Sequence, residues 1–116
     1  MRSATEHALK VCPIEVSVSV IGGAWKLTIV RHLSDGTRRF GELRRELGDI
    51  TDRTLTRQLR ELEDDGLVHR EVFAEVPPRV EYSLTPLGAS LQSVIDTLDS
   101  WGKEWASSRG LVILDD

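Results

Sequence analysis

Two short strand-like runs, Leu67-Val68-His69-Arg70-Glu71-Val72 and Arg79-Val80-Glu81-Tyr82-Ser83-Leu84, are separated by Ala74-Glu75-Val76-Pro77-Pro78. The second run alternates polar and apolar residues strictly, the signature of a half-buried strand. Neither proline carries an amide hydrogen for a ladder, so the segment between the runs projects as a loop, stiffened at φ near −65°. The pattern predicts one antiparallel hairpin with a rigid tip. Elsewhere the apolar residues recur at helical spacing, and that contrast limits the folds open to the chain.

Upstream of the hairpin, Ile14, Val18 and Ile21 share a helical face behind Pro13, a residue suited to a first helical turn. Gly22-Gly23 breaks that helix. A second carries Trp25, Ile29, Val30 and Leu33 and is stopped by Ser34-Asp35-Gly36. A third, over 39–47, presents Phe40, Leu43 and Leu47 and ends at Gly48-Asp49. The fourth has Thr51 as N-cap and Ile50 packing back on it, runs to about Asp65, and carries the stripe Leu55, Leu59, Leu62. Downstream, Thr85-Pro86 opens a last helix to about residue 106, with Leu87, Leu91, Val94, Leu98, Trp101 and Trp105 on one face.

This order predicts an α+β, mainly helical fold: a winged helix-turn-helix with a two-stranded wing and extra N- and C-terminal helices for dimerisation. The helix-turn-helix spans about 39–65, the wing about 67–84, and the C-terminal dimerisation helix about 86–106. A chain of 116 residues with 40% apolar content supports one core and therefore one domain over 1–116. A small monomer would struggle to cover Trp101 and Trp105 along with Leu98, which points to a homodimer interface; intrachain packing of one tryptophan is the alternative.

The net charge of −4 conceals a strong polarity along the chain. Residues 1–37 carry +1, residues 38–60 carry +3 and residues 61–116 carry −8. All seven cations of the middle segment are arginines, the side chain that reads guanine O6 and N7 with paired bonds. Arg53, Thr54, Arg57 and Gln58 are therefore the candidates for base and backbone contacts from the fourth helix; the alternative is simple solvation for Arg53 and Arg57, and solvation or a phosphate contact for Thr54 and Gln58. Lys26, Arg38 and Arg39 are candidates for phosphate contact; solvation of Lys26 and pairing of the two arginines with Glu42 are the alternatives. Arg79, beside the stiff tip, either enters a minor groove or pairs across the hairpin with Glu71 or Glu75. The acidic end of the fourth helix, Glu61, Glu63, Asp64 and Asp65, opposes the helix dipole and predicts some purpose beyond helix stability, such as keeping phosphates near the first half.

Six motifs in order carry a family resemblance: Cys12-Pro13-Ile14; Ile21-Gly22-Gly23-Ala24-Trp25-Lys26; Arg39-Phe40-Gly41-Glu42-Leu43; Leu55-Thr56-Arg57-Gln58-Leu59-Arg60-Glu61-Leu62; Asp65-Gly66-Leu67-Val68; and Val76-Pro77-Pro78 through Leu87-Gly88. Over about Cys12 to Trp101 the chain resembles the HxlR-type regulators, relatives of the MarR group. The resemblance implies a homodimeric winged-helix repressor or activator whose first and last helices build the dimer interface. In several members the cysteine before the proline senses oxidants, quinones or aldehydes, and this chain keeps it as Cys12. With no second cysteine, an intramolecular disulfide is out of the question.

Cys12 stands at a helix N-terminus, where the positive end of the dipole favours a thiolate; a buried apolar role at the dimer interface is the alternative. His7, His32 and His69 are scattered, and no spacing suits a metal, a cofactor loop or a nucleophilic triad, so no enzyme is expected. No run approaches the ~20 apolar residues of a membrane span, and the single cysteine fits a reducing compartment, so a cytoplasmic protein is expected. The expected partners are double-stranded operator DNA, a second copy of the chain, and a small-molecule effector or oxidant. The contrasting reading is a protein-interaction module that keeps the winged fold without binding DNA.

Overall fold

The structure, a computed structural model, describes residues 1–113. Its elements are α1 (Ser3–Ala8), α2 (Pro13–Ile21), α3 (Lys26–Ser34), β1 (Arg38–Arg39), α4 (Phe40–Leu47), α5 (Asp52–Asp64), β2 (Val68–Phe73), β3 (Arg79–Leu84), α6 (Pro86–Ala89) and α7 (Gln92–Ser108). Mainly helical and carrying one small antiparallel sheet, it is a winged helix-turn-helix, with α4 and α5 as the helix-turn-helix and β2–β3 as the wing.

Local chemistry fixes the α4–turn–α5 unit. The Arg39 amide donates to Glu42 Oε1 at 2.8 Å, closing the first turn of α4. Gly48, with φ +71°, ends that helix in a conformation few side-chain-bearing residues adopt. Thr51 then caps α5 by accepting the Thr54 amide at 3.1 Å, while Ile50 is buried beside it. The core joins Ile29, Val30 and Leu33 of α3, Leu43 and Leu47 of α4, Leu55, Leu59 and Leu62 of α5, and Leu67 and Val68 at the root of the wing. Each such side chain contributes about 1.5–3 kcal/mol on burial, so this one cluster clamps the recognition unit to the wing.

The sheet has three strands, not two. Arg38 and Arg39 pair antiparallel with Tyr82 and Glu81, giving the order β1-β3-β2. A two-residue strand has no periodicity to read. It exists because it occupies the free edge of β3, which would otherwise present unpaired amides and carbonyls.

The last helix is broken. Thr85 caps α6 by accepting the Gly88 amide at 3.0 Å and donates its own hydroxyl to the Gly66 carbonyl at 2.6 Å. Gly88 lies so close to the Leu67 carbonyl that a Cβ there would sit 2.1 Å from its oxygen. The Ser90 and Leu91 amides then turn to Leu87 and Gly88, tightening the chain before α7 begins. Short α6 is thus pinned to the wing root, and α7 departs to lay Leu91 and Ile95 against the core. The N-terminal α1 is also an addition to the sequence pattern, with only Thr5 and Ala8 buried.

Helix α2 buries no residue within the chain, and Ile14 is 73% exposed. On α7, Val94, Leu98, Trp101 and Trp105 are exposed at helical spacing, with Trp101 at 62%. Two apolar helix faces are therefore left uncovered by this chain, the ones expected to dimerise.

Candidate nucleic-acid interface

On α5 the inward arc is Leu55, Gln58, Leu59 and Leu62, which leaves Arg53, Arg57 and Arg60 exposed along one outward ridge at i, i+4 and i+7. Among the described residues none of the three has an ion-pair partner, although Arg57 adds to the field that favours the Glu61 carboxylate. Six of the twelve other lysines and arginines reach a carboxylate: Arg2, Lys26, Arg38, Arg44, Arg79 and Lys103. Three guanidinium groups side by side repel one another by Coulomb's law, and an open ridge of them is suited to an anionic partner. Arg60 belongs to this ridge, and its spacing from Arg53 and Arg57 marks it in the sequence.

Several expected contacts are otherwise employed. Lys26 is 3% exposed, and its ammonium is 2.7 Å from Glu61 Oε1 at the far end of α5. It is turned inward and is not at the surface for a phosphate. Gln58 is 8% exposed, with Oε1 buried, unpartnered and facing Gly23. Three residues after Leu55 and four before Leu62, it shares their face, so it is not aimed into a groove. Thr54 lies on the flank of α5, where its hydroxyl accepts from Thr51 at 3.0 Å.

Arg38 and Arg39 form β1 rather than the start of a helix. Arg38 donates to Glu46 at 2.9 Å, not to Glu42, whereas the exposed Arg39 side chain stays at the N-terminal end of α4. At the wing tip Arg79 takes the cross-hairpin alternative. Its guanidinium is 3.3 Å from Glu75, 3.5 Å from Glu81 and 3.9 Å above the Phe73 ring, so Glu81 replaces the expected Glu71.

The acidic end of α5 has a structural purpose. Arg2 donates to Asp65 at 2.5 Å and to the Ser19 carbonyl at 2.7 Å, and it lies 3.6 Å from Glu61. Glu61 and Asp65 thus anchor α1 and α3 onto the recognition helix. The Lys26 hydrogen bond holds the Glu61 carboxyl below the usual glutamate range against the opposing cost of burial, with Lys26, Arg2 and Arg57 adding charge. The hydrogen bond to Asp65 raises the Arg2 guanidinium in turn, again against desolvation.

Cys12 is the N-cap of α2, partly exposed, with its side chain making no capping hydrogen bond. It lies beside the uncovered face of α2. Among the described residues no histidine, cysteine and carboxylate cluster gathers for a metal, and no single helix is long and apolar enough to cross a membrane.

The model of the HxlR-like helix-turn-helix family matches residues 20–109, from the end of α2 through α7. The chain belongs to the HxlR family. Similar proteins include YybR of Bacillus subtilis (strain 168), an uncharacterized HTH-type transcriptional regulator 52% identical over 107 residues, covering 87% of this chain and 86% of YybR. The oxidized form of the redox regulator HypR is 52% identical, covers 80% of this chain and 96% of its own, and superposes with a TM-score of 0.75. The reduced form of the transcriptional regulator YodB from B. subtilis is 35% identical, covering 81% of this chain and 93% of its own, with a TM-score of 0.72. This HxlR protein is a transcription regulator of the helix-turn-helix type.

Proposed function

We propose that this regulator binds double-stranded operator DNA as a homodimer, placing α5 in the major groove. The observation that carries the reading is the unpaired ridge of Arg53, Arg57 and Arg60 on the open face of α5. In this reading Arg53 and Arg57 address base edges, Arg39 addresses phosphates, and the wing, braced internally by Arg79, fixes the approach. The exposed stripes of α2 and α7 cover each other across a two-fold axis, presenting two recognition helices to half-sites about 34 Å apart. A protein-interaction module that keeps the winged fold does not need three unpaired arginines on one open helix face.

The switch in this reading is Cys12. Its half-exposed thiol at the edge of the apolar α2 face favours oxidation between subunits or with a small thiol, and the similar HypR is a redox regulator. A small effector has the weaker footing of a shallow cleft of about 220 Å³ between α3 and α7, lined by Leu27, Ile95 and Leu98 together with Thr28, Arg31 and Asp99. A cytoplasmic setting supplies both the DNA and the reducing poise.

The test is an anisotropy titration of the protein against the duplex flanking its own gene and against random duplex, with and without reductant. Preferential, salt-sensitive binding to the flanking duplex is expected. Equal affinity for both, or none for either, overturns the reading.

A further inference from the structure

Between the flank of α5 and the base of the wing lies a notch of about 310 Å³ lined by Thr56, Leu59, Arg60, Glu63, Arg70 and Tyr82. Two elements build it. Thr56 and Glu63 stand on the side of α5 that faces the sheet, and Arg70 of β2 is directly opposite Tyr82 of β3. Leu59 supplies an apolar floor. Arg60 and Arg70 are both exposed, and among the described residues neither has an ion-pair partner. Glu63 shares the notch yet pairs with neither guanidinium, so the site keeps a net positive charge.

We propose that this notch seats one backbone phosphate of the bound DNA, with Arg70 and Arg60 as its clamp and the Thr56 and Tyr82 hydroxyls as further donors. The proposal rests on the DNA-binding reading and adds to it a contact made by the wing root. A helix lying in the major groove beside a wing at the neighbouring minor groove has one strand's backbone running between the two. The notch occupies that position. Paired guanidinium groups suit a phosphodiester, whose oxygens accept their hydrogen bonds in a fork. Such a contact fixes register and carries no sequence information.

The experiment is a salt titration of duplex binding for wild type, Arg70→Ala and Arg70→Lys, using both the flanking and the random duplex, with thermal melting as the fold control. Loss of one phosphate contact per subunit lowers the salt slope by about two across a dimer. Arg70→Ala is expected to do so on both duplexes by a similar factor, with Arg70→Lys intermediate and melting unchanged. A methylphosphonate at the contacted position should weaken wild type and add nothing to the Arg70→Ala loss. Wild-type binding with an unchanged slope in Arg70→Ala overturns the seat while leaving DNA binding intact. Inorganic phosphate that stabilises wild type but not Arg70→Ala, without any DNA effect, assigns the notch to a free anion and also overturns it. Absence of duplex binding by wild type removes the DNA reading itself.

Discussion

Lys26 at the start of α3 and Glu61 near the end of α5 form a 2.7 Å ion pair, and the lysine is almost wholly buried while the glutamate side chain remains 31% exposed. The pair ties α5 to α3. Removing the carboxylate by Glu61→Ala strands a buried ammonium and is expected to cost about 2–3 kcal/mol, below the range of fully buried pairs because Glu61 is partly solvated. Lys26→Met leaves Glu61 with Arg2 and water, and should cost less than half as much. Urea unfolding of the two variants checks the order; a larger loss in Lys26→Met reverses the argument.

Acid should weaken the same link. The Glu61 carboxyl titrates below its ordinary value near 4.5, chiefly because Lys26 donates to it. Its folded pKa is depressed, so its contribution is complete above about pH 4.5 and is lost as pH falls through the folded value. The stability gap between wild type and Glu61→Gln is therefore expected to be constant from pH 7 to about 5 and to shrink below 4.5. A gap that widens on acidification contradicts the assignment.

The uncovered stripe of α7 predicts self-association. Trp101→Ala combined with Leu98→Ala should shift sedimentation from dimer to monomer at micromolar concentration, since interface cores rely on such large apolar side chains. A wild-type protein that sediments as a monomer removes this expectation.

Arg57 and Arg53 should behave as readers of sequence. Arg57→Ala is expected to lose about 1–3 kcal/mol of discrimination between specific and random duplex. Lys26→Met, with its ammonium already committed inward, should leave the salt slope unchanged. Equal losses on both duplexes for Arg57→Ala would move that arginine to the backbone.

Oxidation tests Cys12. Mild oxidant is expected to produce an intersubunit disulfide or a mixed disulfide at Cys12, visible by mass spectrometry, with a change in DNA affinity that Cys12→Ser abolishes. A Cys12→Ser protein that still responds to oxidant places the switch elsewhere.

What could be read from the chain alone was local. The Leu55, Leu59, Leu62 stripe, the Thr51 cap and the prolines between the wing strands give the same elements in the structure, because capping and amphipathic spacing act within a few residues. The outward position of Arg53 and Arg57 follows from the same spacing, and so does the inward position of Gln58, which the sequence reading placed outside. Tertiary structure decided the rest. Strand β1 exists only because the edge of β3 is beside it, and α6 stops where Gly88 meets the Leu67 carbonyl. Arg2 and Asp65, 63 positions apart, meet at the end of α5, and Lys26 turns inward to Glu61, a carboxylate also far from it in sequence. Charge alone cannot distinguish a solvated cation from a buried, paired one. That difference depends on which carboxylate the packed helices bring within reach, and residue order sets periodicity but not this distance.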